Sequence, residues 1–362
     1  MTTPLRVAIA GAGNIAWAHL IAWRHDPAVE ISAIVDPDLA RASALRDRVG
    51  LPASTVIGAN VDEALVTDPH CLDICAPPFL HGSYARAALD HSAHAVVEKP
   101  PAGSLAEFDA LIAHSARTGK RLLPVLQNRL GTGPRQVYAL REAGLLGRFL
   151  HGSVETHWRR GADYYAAPWR GKHATEIGGP WAGLAIHTLD LCLPLLPAVV
   201  SVQAHVDTLI HRIDVEDCGV AMLRLAGGSW FVHTVTTHAQ REHTRGLLVF
   251  EHAQVEFGPD TYHYAATPWK IVSADAKRQQ QIDEAIKRVE DPVTPAGQDQ
   301  LWYRQARQWC ELLRNGDPAG RDLASSRPAF ETLTAIYAAA RSNATVQLPI
   351  TAAHPQYHRL AP

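Results

Sequence analysis

The stretch Val7-Ala8-Ile9-Ala10-Gly11-Ala12-Gly13-Asn14-Ile15-Ala16 decides the fold. An apolar run ends in Gly-x-Gly-x-x-Ala, and a helical pattern follows at once. Strand, glycine turn and helix, in that order, present free backbone N–H groups to a pyrophosphate. Gly11 permits the tight turn, and Gly13 removes a Cβ from the path of the phosphates. Ala16 is small enough for close helix–strand packing. Asn14 and Ile15 open the helix and complete the expected cofactor cradle. A second apolar run, Ile31 to Val35, ends in Asp36, 25 residues after Gly11. A carboxylate there accepts hydrogen bonds from ribose hydroxyls and repels a 2′-phosphate, so NAD is expected over NADP. Arg41, the nearest basic residue, is assigned to the following helix.

Composition sets the class. The chain has 362 residues, 47% hydrophobic and 19% charged, with a formal net charge of −2. This is enough for two domains with full cores, and no basic block points to nucleic acid. No apolar run of membrane-spanning length and no leader pattern is read, so a cytoplasmic protein is expected. The five cysteines, Cys71, Cys75, Cys192, Cys218 and Cys310, are scattered and odd in number, which predicts reduced thiols rather than disulfides. No Cys/His group has zinc-like spacing, so no metal is expected.

Continuous apolar runs alternate with helical patterns from residue 5 to about 125: Leu5–Ala10, Ile31–Val35, Thr55–Ile57, Leu72–Cys75, Ala95–Val97 and Leu122–Val125. Such runs fit strands buried on both faces of a parallel, doubly wound sheet. Ligands bind at the carboxyl ends of such strands. Gly11–Asn14, Asp36, Ala76-Pro77-Pro78, Glu98-Lys99-Pro100 and Gln127-Asn128-Arg129 all fall on that edge. Beyond residue 126 the pattern becomes alternating, at Val200–Asp207, Cys218–Leu225, Trp230–Thr236, Gly246–Phe250 and Gln254–Phe257. This predicts an open, mostly antiparallel sheet with flanking helices, including one near Gln298–Arg314 with Trp302, Ala306, Trp309 and Leu313 on one face. The expected domains are 1–125, for the dinucleotide, and 126–362, for substrate and oligomer contacts.

Together, Gly-x-Gly-x-x-Ala, Asp36, Pro77-Pro78-x-x-His81, Glu98-Lys99-Pro100 and a later Gly178-Gly179…His187-x-x-Asp190 resemble the glucose-fructose oxidoreductase, inositol dehydrogenase and rhizopine catabolism (Gfo/Idh/MocA) family. The resemblance covers nearly the whole chain, and Glu-Lys-Pro is its most specific mark. It implies an N-terminal Rossmann domain, a C-terminal α/β domain with an open sheet, and hydride transfer between a nicotinamide cofactor and a sugar, sugar derivative or cyclitol. It also implies His187 as the partner of Lys99. Many relatives carry an aspartate four residues before this histidine, where this chain has Gly183. Asp190 could take over its role, a substrate group or water could fill the space, or a larger substrate could need the room.

The chemistry can be argued from the residues. Oxidising a secondary alcohol requires removal of the hydroxyl proton as hydride leaves carbon. The Lys99 ammonium can stabilise the developing alkoxide, and Glu98 can hold Lys99 or touch the cofactor ribose. His187 and Asp190 are three apart and share a helix face, so Asp190 can orient the ring. The stretch 157–176 is read as a substrate-clamping loop, with His157, Tyr165, Trp169, Arg170 and His173 as binding candidates. Gln127 and Arg129 are candidates for nicotinamide and substrate, with an inter-domain salt bridge as the other reading of Arg129. Cofactor contacts are also expected from Ala76, Pro77 and His81.

Three functions remain open: a dehydrogenase or reductase, a redox-neutral enzyme that keeps its NAD, and a sugar or NAD sensor. Net NADH formation separates the first two, and intact Lys99 and His187 argue against the third. Trp230, Val232 and Val235 suggest an apolar open sheet face, so a homodimer or homotetramer is expected.

Overall fold

In the computed structural model the described residues are 4–316 and 322–360, and they form two compact units. The first unit's described residues fall in Met1–Val125 and Thr294–Arg327, and the second's in Leu126–Val293 and Pro328–Pro362. The described residues of the stretch 294–327, expected from sequence in the second domain, cluster with the first unit.

The first unit is built on six parallel strands: β1 (Leu5–Ala10), β2 (Val29–Val35), β3 (Val56–Gly58), β4 (Cys71–Ile74), β5 (His94–Val97) and β6 (Leu122–Pro124). Their order is β3-β2-β1-β4-β5-β6, so the winding reverses between β1 and β4, where α/β sheets bind ligands. Helix α1 (Asn14–Trp23) follows β1, and α2 (Leu39–Val49) follows β2. The sequence of α1 is apolar around most of its circumference, so sheet packing leaves another apolar side. The helix Gln300–Asn315 covers it, with Trp309 fully buried and its ring 5.0 Å from that of Trp23. An amphipathic face shows that a partner exists but not which partner.

The second unit holds an eight-stranded sheet: β7 (Phe149–Arg159), β8 (Val199–Asp207), β9 (Cys218–Leu225), β10 (Trp230–Thr236), β11 (His238–Phe250), β12 (Gln254–Phe257), β13 (Lys270–Val272) and β14 (Val346–Gln347). The order is β13-β12-β11-β7-β10-β9-β8-β14, with every pairing antiparallel except β7 with β10. Strand β7 was not anticipated and extends through the start of the supposed clamp loop. Its polar, glycine-containing composition hides a period-two pattern in which Val154 and Thr156 are buried. In β10, Phe231, His233 and Val235 are buried, while Trp230 and Val232 lie on the opposite parity. Val235 is thus on the covered face, not the open one.

Trp309→Ala removes a fully buried indole between α1 and the returning helix. It should cost about 3–5 kcal/mol, read as a lowered denaturant midpoint in equilibrium unfolding.

Candidate active site

The turn after β1 is set by crowding. Gly11 has φ +103°, its N–H donates to the Val35 carbonyl at 2.7 Å, and a Cβ there would lie 2.6 Å from the Cys75 carbonyl oxygen. Gly13 precedes the first turn of α1, which carries neither a side-chain cap nor an acidic residue. Gly13, Asn14 and Ile15 are exposed, and a Cβ on Gly13 would meet no atom within 4 Å. Uncapped donors facing open space fit an anionic phosphate. Asp36, at the end of β2, is buried and accepts the Ala12 and Asp38 amides at 2.8 and 2.9 Å. A carboxylate has about four acceptor positions, so two remain for ribose hydroxyls. Arg41 does lie on α2, yet its guanidinium returns to within 3.8 Å of Asp36 and 3.3 Å of Asp38.

The carboxyl edge of β4 and β5 is braced from beneath. Glu98 is buried, and its two oxygens face the Lys99 amide at 3.0 Å and His19 Nε2 at 3.2 Å. The other ring nitrogen of His19 faces Asp73 at 2.9 Å, and Trp23 donates to the same carboxylate at 2.7 Å. Burial, the largest single influence, would lower the His19 pKa, but Asp73 and Cys75 together raise it well above the usual histidine range. The buried His19 ring between two carboxylates thus backs Glu98, which fastens the backbone of half-buried Lys99. Glu98 thereby acts on Lys99. Ala76 and Pro77 form the half-buried turn after β4. His81 corrects an expectation: it is buried, with its ring nitrogens 2.7 Å from the Pro100 and Ala76 carbonyls. It ties the two turns together and has no ring nitrogen left for a cofactor.

In the second unit, His187 and Asp190 lie on the helix Ile186–Cys192, which continues a π-helical turn, Trp181–Ala185. Both are buried. Thr188 seats the helix on the sheet, 3.1 Å from both Thr156 Oγ1 and His233 Nε2. The Asp190 carboxylate accepts a two-pronged ion pair from Arg129, from Nε at 2.7 Å and also from Nη2. Burial raises the Asp190 pKa, and the Arg129 charge offsets part of that rise. Arg129 therefore pairs within the second unit. Gln127 opens the short helix that contains Arg129, and its Oε1 is shielded with no hydrogen-bond donor among the described residues. A Cβ at Gly183 would meet nothing within 4 Å, so the place of the missing aspartate is open space.

Sequence reasoning missed what holds this helix. The fully buried Glu216 carboxylate accepts the Gly179 amide at 3.0 Å, the Trp181 amide at 3.1 Å and the Tyr337 hydroxyl at 2.8 Å. A Cβ on Gly179 would lie 2.2 Å from the Glu216 carbonyl oxygen, so glycine is required there. Burial raises Glu216 to about 7 against these three bonds. Glu216 and Tyr337 are 121 residues apart, and no local pattern links them.

The 157–176 stretch is largely braced by itself. The Arg170 guanidinium bonds Glu176 at 2.7 Å and the Tyr164 hydroxyl, and sits 3.8 and 4.2 Å from the Tyr164 and Trp169 ring centres. Tyr165 reaches Thr237 at 3.4 Å. His173 starts the short helix His173–Glu176, with Nδ1 shielded and no hydrogen-bond partner among the described residues. His157 leaves the candidate substrate set. Thr156 contacts the His187 helix, so strand alternation turns His157 to the other face, where it meets Thr234 at 2.8 Å.

A doubly wound sheet with an uncapped glycine turn at its switch point, a buried acid at the end of β2 and a fastened lysine at the edge of β5 has the features of an NAD-binding Rossmann domain. Residues 5–125 match the family model described as an oxidoreductase family with NAD-binding Rossmann fold, and residues 135–256 match the GFO/IDH/MocA C-terminal domain. The chain belongs to the Gfo/Idh/MocA oxidoreductase family. It is 29% identical to D-glucoside 3-dehydrogenase of Escherichia coli (strain K12), over 56% of this chain and 58% of that protein. It is also 29% identical to a glycosyl hydrolase family 109 protein of Streptomyces niveus, over 48% of this chain and 38% of the other. The chain thus spans about half the length of these curated relatives. Among solved structures, the WlbA dehydrogenase from Bordetella pertussis, in complex with NADH and UDP-GlcNAcA, is similar with a TM-score of 0.82 and 25% identity, covering 97% of this chain and 99% of that one. No helix among the described residues is long and apolar enough to cross a membrane.

Glu216 gives a pH signature. Its folded pKa of about 7 lies above the ordinary 4.5, so its contribution to stability is greatest below pH 4.5 and is lost as pH rises through 7. The stability difference, wild type minus Glu216→Gln, should therefore fall between pH 5 and 8 in denaturant titrations. A difference that grows over that range would contradict the assignment.

Proposed function

We propose that this protein is an NAD-dependent oxidoreductase acting on a secondary hydroxyl, or the corresponding ketone, of a sugar, sugar derivative or cyclitol. The observation that carries the reading is Lys99 at the carboxyl edge of β5, its amide fastened by buried Glu98, in the same sheet as the uncapped glycine turn. NAD, when bound, supplies the hydride acceptor or donor. Gly11, Gly13, Asn14 and Ile15 would hold its phosphates and Asp36 its ribose. Lys99 stabilises the substrate oxygen as it becomes an alkoxide. His187 takes or returns the hydroxyl proton. Asp190 and Arg129, locked to each other, are positioning residues for that helix. Tyr165, Trp169 and His173 are the remaining substrate candidates, and Arg170 braces them.

The second reading is redox-neutral chemistry, in which oxidation at one carbon acidifies the neighbouring C–H and permits elimination before hydride returns. Similarity to the glycosyl hydrolase family 109 protein supports it, and so does the open space at Gly183, which suits a larger substrate.

The test is nicotinamide absorbance with NAD and a panel of sugars, inositols and anhydro-sugars. NADH should form, and Lys99→Ala and His187→Ala should each lower kcat/KM by about 10²-fold or more. NAD that co-purifies and never accumulates as NADH would select the redox-neutral reading. Undiminished turnover in Lys99→Ala would refute both. A homodimer or homotetramer through the second sheet is also proposed, supported by exposed Trp230 and Val220 on its open face. Sedimentation at micromolar concentration should show no monomer, and Trp230→Arg should release it.

A further inference from the structure

The second sheet's face turned away from the His187 helix carries a cluster that hydride transfer does not use. Glu155 and His157 lie two residues apart on β7, and the β7–β11 register sets His243 directly opposite His157 and Arg245 opposite Glu155. One ligand atom from each of Glu155, His157 and His243 lies within 4.8 Å of the others. His243 Nε2 is 2.7 Å, and His157 Nδ1 3.7 Å, from the same Glu155 oxygen. Donors of a tetrahedral zinc ion sit about 3.3 Å apart, since each bond is about 2.0–2.1 Å, and the two distances bracket that value.

The outward ring nitrogens are also arranged as a metal site requires. His157 Nε2 faces the Thr234 hydroxyl at 2.8 Å, and His243 Nδ1 faces the Arg241 carbonyl at 3.3 Å. When the ion displaces the hydrogen bond of His243 Nε2 to Glu155 and a proton is held on each outward nitrogen instead, the inward lone pairs can ligate.

We propose that Glu155, His157 and His243 bind a first-row transition-metal dication of the zinc type, with water completing the shell. Two imidazoles and a carboxylate are a recurrent zinc-binding set. The ion would tie β7 to β11 next to the break in their ladder between His238 and His243. The site lies at the opposite end of β10 from Trp230, since Thr234 and Thr236 pair with Glu155 and His157. Arg245, mostly exposed, bonds Glu155 at 2.9 and 3.0 Å and competes with the ion for the carboxylate. Arg245 thus tunes the affinity downward.

The experiment titrates the chelator-treated full chain with zinc chloride by calorimetry, and repeats it with cobalt(II) to read the visible ligand-field spectrum. One equivalent should bind, with the intense bands of a four- or five-coordinate nitrogen–oxygen site. His243→Ala and His157→Gln should each weaken binding about tenfold or more, whereas Arg245→Ala should strengthen it. Circular dichroism of each metal-free variant confirms that it folds. The other close group of possible ligands among the described residues is buried His19, Asp73 and Cys75. Binding lost in Cys75→Ser but kept in His243→Ala would overturn the proposal, as would the absence of binding or a cobalt spectrum indifferent to both histidine variants. NAD-dependent turnover unaffected by His243→Ala keeps this result distinct from the oxidoreductase reading.

Discussion

Backbone crowding at a glycine governs each unit. At Gly11 the chain turns with positive φ against the Cys75 carbonyl, so β1 and β4 end side by side and α1 starts with uncapped donors. Any side chain there would push the two strand ends apart and move those donors. Gly179 plays the same part in the second unit, because the Glu216 backbone and carboxylate occupy the place of its Cβ. The helix carrying His187 and Asp190 starts from that contact.

Buried charge completes what the glycines begin. The three buried carboxylates Asp73, Glu98 and Glu216 each face donors, from His19 and Trp23, from His19 and the Lys99 amide, and from two backbone amides and Tyr337. Leaving any of them unpaired inside a unit would cost several kcal/mol, so each donor set holds its geometry tightly. The groups proposed to meet substrate, Lys99 and His187, sit directly on these fastened segments. Rigid support beneath an acid/base group keeps its approach to the reacting oxygen reproducible. The clamp segment follows the same logic on a smaller scale, with Arg170 held between two aromatic rings and Glu176.

Local order along the chain carried much of this into view. The run Val7–Ala16, Asp36 after β2 and Glu98-Lys99-Pro100 after β5 are each contiguous, and parallel strands buried on both faces have a plain hydrophobic signature. So the doubly wound sheet and the strands from Cys218 to Phe257 could be read directly. Strand β7 could not, because a half-exposed polar strand lacks that signature, and with it went the correct face of His157. His81 read as a cofactor contact because its two carbonyl partners, Ala76 and Pro100, meet it only once the strands are paired. The helix Gln300–Asn315 showed an apolar stripe but not its destination. Glu216 with Tyr337, Arg129 with Asp190, and His243 with Glu155 are joined across 121, 61 and 88 residues. Such pairs leave no periodic trace, since side-chain spacing along a strand or helix encodes only which way a residue faces. Which residue it faces depends on strand register and packing, and those exist only in the folded chain.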